Sequence, residues 1–169
     1  MNIFFSISTS TLQFDLQSNK PEVSRILGIQ TECNLSVWSE MDYYEELKNK
    51  NSLILTAKQE NEIVGFLATR LSNPREQPGK YEDADILNFG VSQKFQNRGI
   101  GALLLKTFLI KAERMKLGTI WLEVRESNAR AIKFYKYKGF IEVQIRKNFY
   151  RQPLENAILM KLDLPPLPI

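Results

Sequence analysis

The sequence predicts a mixed α/β fold in a single domain spanning residues 1–169. Three observations carry that expectation. The chain has 169 residues and 43% hydrophobic content, enough for one core and too little for a second full domain. Apolar spacing switches repeatedly between the two-residue period of strands and the three-to-four-residue period of helices. The segment "SLILTAKQENEIVGFLATRL" (52–71) reads as two strands joined by a polar turn at Glu60 and Asn61, a hairpin.

The elements follow in order. "TLQFDL" (11–16) reads as a strand, and "KPEVSRILGIQTE" (20–32) as a helix spaced by Val23, Ile26, Leu27 and Gln30. "SVWSEMDYYEEL" (36–47) reads as a second helix with Ser39 as a cap. After the hairpin, "SNPREQPGKYED" (72–83) is dense in proline, glycine and charge and reads as one long solvated connection. "ADILNFGVS" (84–92) is a strand. The helix that follows repeats Leu104, Phe108, Ala112 and Met115 along one face and is expected to end by Gly118. "TIWLEVRE" (119–126) is a strand with Ile120, Leu122 and Val124 on one face and Trp121, Glu123 and Arg125 on the other. "SNARAIKFYKYKGF" (127–140) is a short helix capped by Ser127 or Asn128 and stopped by Gly139. Two last strands, "FIEVQIRKNF" (140–149) and "NAILMKLDL" (156–164), complete a core of about residues 11–164. The proline-rich tail 165–169 adds nothing to a sheet, because proline has no N–H for a ladder.

Composition excludes several functions. Lys plus Arg number 23 against 19 Asp plus Glu, a net +4 that favours anionic ligands mildly and is too weak to diagnose nucleic-acid binding. The chain has no histidine and one cysteine, so no His/Cys cluster is available for a transition metal. Cys33 cannot form an internal disulfide and reads as a small buried residue in a reducing compartment. The start "MNIFFSIS" lacks a basic beginning and a small-residue cleavage site, and no apolar run approaches the roughly 20 residues of a membrane span. A cytoplasmic protein without membrane or direct nucleic-acid partners is expected.

The stretch "QNRGIGALLLKTF" (96–108) carries the first chemistry. A helix N-terminus exposes unpaired N–H groups with partial positive charge, and Gly99 and Gly101 would leave the approach clear for a phosphate. A dinucleotide fingerprint fits less well. Leu104 stands where its third Gly or Ala belongs, and Glu123 lies in mid-strand. No Walker G-K-[ST] occurs. Taken alone, a glycine pair before a helix is more often just a turn.

Gln96, Gly99 and Gly101 match the Q/R-x-x-G-x-G/A signature, and the chain resembles the GNAT superfamily of N-acetyltransferases. "SVWSE", "FGVSQKFQNRGIGALLL", "WLEVRESNARAIKFYKYKGF" and "IRKNFY" are similar to the bacterial ribosomal-protein-alanine acetyltransferases, from about Glu22 to Leu164 and densely after Ile86. The resemblance implies a central, mostly antiparallel sheet flanked by helices and splayed between the fourth and fifth strands, Asp85 to Ser92 and Thr119 to Glu126. It implies acetyl-CoA as co-substrate. Pantetheine would pair with the backbone of Phe89, Gly90 and Val91 much as an added strand does. Pyrophosphate would rest on the N–H groups of Asn97, Arg98, Gly99, Ile100, Gly101 and Ala102. The Arg98 side chain either adds charge there or stays solvated. Asn128 matches a cofactor-contacting asparagine, a role compatible with capping its helix.

Acetyl transfer from a thioester to an amine needs a proton removed from the ammonium, and the departing thiolate benefits from gaining one. Glu123 interrupts an otherwise apolar strand, where partial desolvation would raise its pKa and make it a better base near neutrality. The residues alone equally allow an ion pair with Arg125 or a lysine. The family's base stands at this glutamate and its general acid at Tyr135, a position that spacing alone would give to core packing. The family's acceptor is the α-amino group of an N-terminal alanine on a small-subunit ribosomal protein. Trp38, Phe149 and Tyr150 fall in segments that would border the peptide entrance. Phe149 replaces one of two tyrosines common in the family, and the loop from Ser72 to Asp83 is longer than usual, so the acceptor itself is open. Two other classes share these features. A small-molecule N-acetyltransferase would keep the whole cofactor half, and a non-catalytic acyl-CoA-binding module would tolerate loss of Glu123 or Tyr135, both of which are present.

Overall fold

The computed structural model describes residues 5–7, 10–12, 20–72 and 83–165. Eight strands and four helices are described: β1 (Phe5–Ile7), β2 (Ser10–Leu12), α1 (Lys20–Glu32), α2 (Glu40–Lys48), β3 (Ser52–Gln59), β4 (Glu62–Ser72), β5 (Asp83–Val91), α3 (Ile100–Arg114), β6 (Thr119–Arg125), α4 (Ala129–Tyr137), β7 (Ile141–Arg151) and β8 (Leu154–Asp163). The main sheet has the order β3-β4-β5-β6-β8-β7, with β1 and β2 as a separate antiparallel pair. The β5–β6 pairing is parallel, whereas β3–β4, β6–β8 and β7–β8 are antiparallel, so the sheet is mixed and mostly antiparallel. β5 meets β6 at Ala84↔Ile120, Asp85↔Trp121 and Ile86↔Leu122, and the strands run on to Val91 and Arg125 respectively. The chain packs as two compact units, Met1–Arg70 with Asn88–Ala112, and Leu71–Leu87 with Glu113–Ile169.

In the first unit, the apolar stripe of α1 (Val23, Ile26, Ile29) packs with Tyr43 of α2, Ile54 of β3 and Ile63, Phe66 and Ala68 of β4. The β3–β4 turn forms because Glu60 and Asn61 both adopt left-handed φ, +51° and +66°, the geometry of a two-residue type I′ hairpin. Ser39 caps α2 through a capping box: its hydroxyl accepts from the Asp42 N–H, and the Asp42 carboxylate accepts from the Ser39 N–H. The helix therefore begins after Ser39, and Ser36 to Trp38 lie outside the helix expected over 36–47.

In the second unit, β6 alternates as expected, with Ile120, Leu122 and Val124 buried and Trp121, Glu123 and Arg125 half-buried. Asn128, rather than Ser127, caps α4 by accepting the Ala131 N–H at 3.0 Å. β7 and β8 both run further than expected, to Arg151 and from Leu154, because they continue pairing up to the turn that joins them. Met115 is not on the buried face of α3. The helix ends at Arg114, Lys116 takes the left-handed conformation (φ +60°) expected of Gly118, and Met115 turns outward. Of the strand expected over 11–16, residues 13–16 lie outside the described residues, as do 73–82 of the long loop and 166–169 of the tail.

Candidate active site

The candidate phosphate-binding loop, residues 96–102, lies in the first unit. β5 ends at Val91, and the Ser92 N–H donates to the Val64 carbonyl at 2.9 Å, anchoring the chain as it leaves the sheet. A 3₁₀ turn over Gln93–Phe95 follows, and Asn97 and Gly99 then adopt left-handed φ, +61° and +82°. Gly99 is needed for that backbone conformation, which other residues adopt only under strain. Leu103 makes the first helical bond of α3, to the Gly99 carbonyl, so the N–H groups of residues 100–102 point out of the helix end. No acidic residue stands in that first turn to compete with an anion.

A Cβ at Gly101 would meet Phe89 Cζ at 3.6 Å and Val91 Cγ2 at 3.7 Å, ordinary van der Waals contact. The Gln96 side chain turns inward and donates to the Val91 carbonyl at 2.8 Å; the same carbonyl takes Cys33 Sγ at 3.2 Å. Val91 therefore has its carbonyl engaged, which narrows the expectation of open backbone along Phe89, Gly90 and Val91. Arg98 is exposed, its guanidinium carbon 5.3 Å from the Phe95 ring centroid, and Lys94 Nζ lies 5.0 Å from the same centroid.

Trp38 is half-buried in the same unit, 5.0 Å from the Tyr43 ring. Its segment is tied down by a buried polar network that the sequence reading did not include. Gln30 donates to the Trp38 carbonyl and accepts from the Trp38 N–H and the Tyr43 hydroxyl, while Asn88 donates to the Ser36 carbonyl. Asn88 precedes Phe89, so one network fixes both the Ser36–Trp38 segment and the candidate cofactor strand. Burial pushes the Tyr43 phenol well above its ordinary range, so it acts as a hydroxyl donor.

The candidate acid–base residues, Glu123 and Tyr135, lie in the second unit. Burial raises the Glu123 pKa, Arg146 opposes that shift, and the Asp85 charge adds to it. The partner of Glu123 is Arg146, at 2.8 Å, not Arg125 or a lysine. Arg125 is committed to Glu155 at 3.1 Å and stacks 4.1 Å from the Tyr150 ring centroid. The Tyr150 hydroxyl donates to the Glu123 backbone carbonyl at 3.4 Å, and Phe149 meets Tyr150 edge-on at 5.1 Å. Tyr135 is buried between Phe134 and Phe140, with ring centroids 5.4 Å away on each side. Burial, with a smaller contribution from Tyr150, holds its phenol far above the usual range and therefore protonated. Arg146 lay within the quoted "IRKNFY", but its reach to Glu123 depends on strand register rather than local spacing. Among the described residues no group of three or more His, Cys, Asp or Glu is placed to hold a metal. No described helix is long and apolar enough to cross a membrane.

Residues 23–140 match the family described as "Acetyltransferase (GNAT) family". The chain belongs to the GNAT family of acetyltransferases. This GNAT acetyltransferase is 32% identical over 138 residues to the [ribosomal protein bS18]-alanine N-acetyltransferase of Salmonella typhimurium, covering 80% of this chain and 87% of that one. The enzyme of the same description from Haemophilus influenzae is 32% identical over 145 residues, with 82% and 90% coverage. Among solved structures, the ribosomal-protein-S18-alanine N-acetyltransferase from Escherichia coli superposes with a TM-score of 0.76 at 25% identity, covering 94% of this chain and 98% of that one. Arabidopsis thaliana NAA60 in complex with a bisubstrate analogue shares the fold, with a TM-score of 0.78 at 18% identity over 90% and 98% of the two chains.

Proposed function

We propose that this acetyltransferase moves the acetyl group of acetyl-CoA to the N-terminal α-amino group of a protein, an alanine of a small-subunit ribosomal protein. The observation that carries the acceptor is the pair of relatives at 32% identity, both described as ribosomal-protein bS18-alanine N-acetyltransferases, whose match extends over at least 80% of this chain. The single domain would span residues 1–169.

In this reading the backbone of residues 97–102 binds the pyrophosphate. Glycine geometry at 99, outward N–H groups at 100–102 and a first turn of α3 without an acidic residue all suit a phosphate there. Phe89, Gly90 and the Val91 N–H align the pantetheine, and Gln96 holds their strand end to the loop. Asn128 contacts the co-substrate while capping α4. Trp38, Phe149 and Tyr150 border the acceptor peptide.

Glu123 takes a proton from the acceptor's ammonium, directly or through one water, and the free amine attacks the thioester carbonyl. Its raised pKa brings its basicity closer to that of the group it deprotonates. As the adduct collapses and its C–S bond breaks, Tyr135 gives a hydrogen bond and then its proton to the departing sulfur, and the second proton lost by the new amide nitrogen restores the phenol through solvent. Because its phenol stays protonated across the neutral range, the donor form is always available; as an acid it is weak, so transfer is coupled to charge building on sulfur. Mass spectrometry of small-subunit ribosomal proteins before and after incubation with enzyme and acetyl-CoA tests the assignment. One acetyl group on one protein N-terminus is expected; acetylation confined to lysines, or to added polyamine, would overturn it.

A further inference from the structure

Arg146 has no part in the chemistry just described, yet it is seated on the residue that begins it. β8 lies between β6 and β7, with Glu123 opposite Leu159 and Arg146 opposite Ala157, so the arginine reaches diagonally across a strand to place Nη1 2.8 Å from Glu123 Oε1. The other charged groups around this carboxylate have separate engagements or the wrong sign. Asp85 on β5 is anionic, Arg125 is held by Glu155, and Lys161 on β8 pairs with Asp163 at 2.8 Å and lies 6.0 Å from the Trp121 ring. The Tyr150 hydroxyl of β7 donates to the Glu123 backbone carbonyl.

A guanidinium and an alkylammonium are both cations that donate N–H bonds to a carboxylate, so they compete for one acceptor oxygen set. Two observations make the competition easy to lose. The Arg146 side chain is 45% exposed whereas Glu123 is 27% exposed, so the arginine is the partner with room to move. Its guanidinium carbon already lies 5.7 Å from the centroid of the Phe149 ring, a cation–π surface onto which it can swing.

Building on Glu123 as the base, we propose that Arg146 is a positioning residue that holds the place of the acceptor's ammonium: it keeps Glu123 charged and oriented in the free enzyme, and the incoming α-ammonium displaces it toward Phe149. One proton then moves from the acceptor nitrogen to a Glu123 oxygen, leaving a neutral amine and a neutral acid that no longer attracts the guanidinium.

Steady-state kinetics of Arg146→Gln and Arg146→Met across pH, with an alanine-terminated peptide, test this. The dependence of kcat/KM on pH reports the free enzyme and that of kcat reports the bound complex. Losing the arginine removes a cation that lowers the Glu123 pKa, so the acidic limb of kcat/KM moves to higher pH; the limb of kcat stays, because Arg146 has already left. On the pH plateau the acceptor KM falls roughly 1.5- to 5-fold, the size of one half-exposed ion pair. Movement of both limbs with KM unchanged means Arg146 stays on Glu123 in the complex and overturns the proposal. If neither limb moves, Glu123→Gln identifies which idea failed: near-normal turnover sinks the base, whereas lost turnover sinks only the placeholder. Unchanged acetyl-CoA affinity in both variants verifies that they are folded.

Discussion

The loop over residues 92–103 and the face of β6 around Glu123 are built from different materials. The first is backbone: left-handed Asn97 and Gly99, and outward N–H groups at the start of α3. Its side chains either turn inward, as Gln96 does, or lie in solvent, as Arg98 does. The second is side chain: a half-buried carboxylate under an arginine, a buried phenol between two rings, and a tyrosine laid against a guanidinium. Backbone N–H groups bind a ligand whose charge is the same before and after reaction. Side chains with displaced pKa values handle protons that must move. The two regions should therefore fail differently when altered.

The largest effect is expected in the side-chain region. Glu123→Gln keeps shape and removes the base, so turnover should fall by roughly 10²–10⁴ with acetyl-CoA affinity almost unchanged. The surviving activity should lose the acidic limb, or shift it toward the acceptor amine's own ionisation. Tyr135→Phe removes one hydroxyl from a packed ring; turnover should drop steeply with little loss of stability, the reverse of what a purely packing tyrosine would give. Stopped assays with parallel calorimetry separate these outcomes.

The backbone region should show the opposite pattern. A Cβ at position 101 reaches ordinary contact with Phe89 and Val91, but an aspartate there adds a negative charge to the first turn of α3. Gly101→Asp is expected to abolish acetyl-CoA binding, and Gly101→Ala to weaken it only slightly. Equal affinity in both variants would erase the distinction between the regions. The smallest effect is at their chemical overlap, Asn128. Its cap on α4 is visible, so Asn128→Ala should cost about 1 kcal/mol of stability, read by denaturant titration, and should weaken acetyl-CoA binding as well if the side chain also contacts the co-substrate.

The two regions also differed in how legible they were. A strand period of two put Glu123 opposite Ile120, Leu122 and Val124, and the structure repeats that alternation residue for residue. The Glu60–Asn61 turn and the Ser39 cap are local too, set by backbone preferences within four residues. The partner of Glu123 was not legible, because it depends on register across three strands, and β7 shifts register at Glu142/Gln144 and again at Arg146/Tyr150. Arg125 was the nearer choice in sequence and the wrong one in space. The Gln30–Tyr43–Asn88 network joins residues 58 apart and leaves no periodic trace. The functional roles of Glu123, Tyr135 and the loop came from the resemblance of "WLEVRESNARAIKFY" and "QNRGIG" to a family, not from spacing.

The acceptor is the point on which the whole account turns, and one competition assay addresses it directly. Short peptides beginning with alanine are offered together with the same peptides blocked at the α-amine and carrying a lysine, under limiting acetyl-CoA. Acetyl groups are expected almost entirely on the free alanine α-amine, with that preference lost along with turnover in Glu123→Gln. Preference for the blocked, lysine-bearing peptides would contradict it.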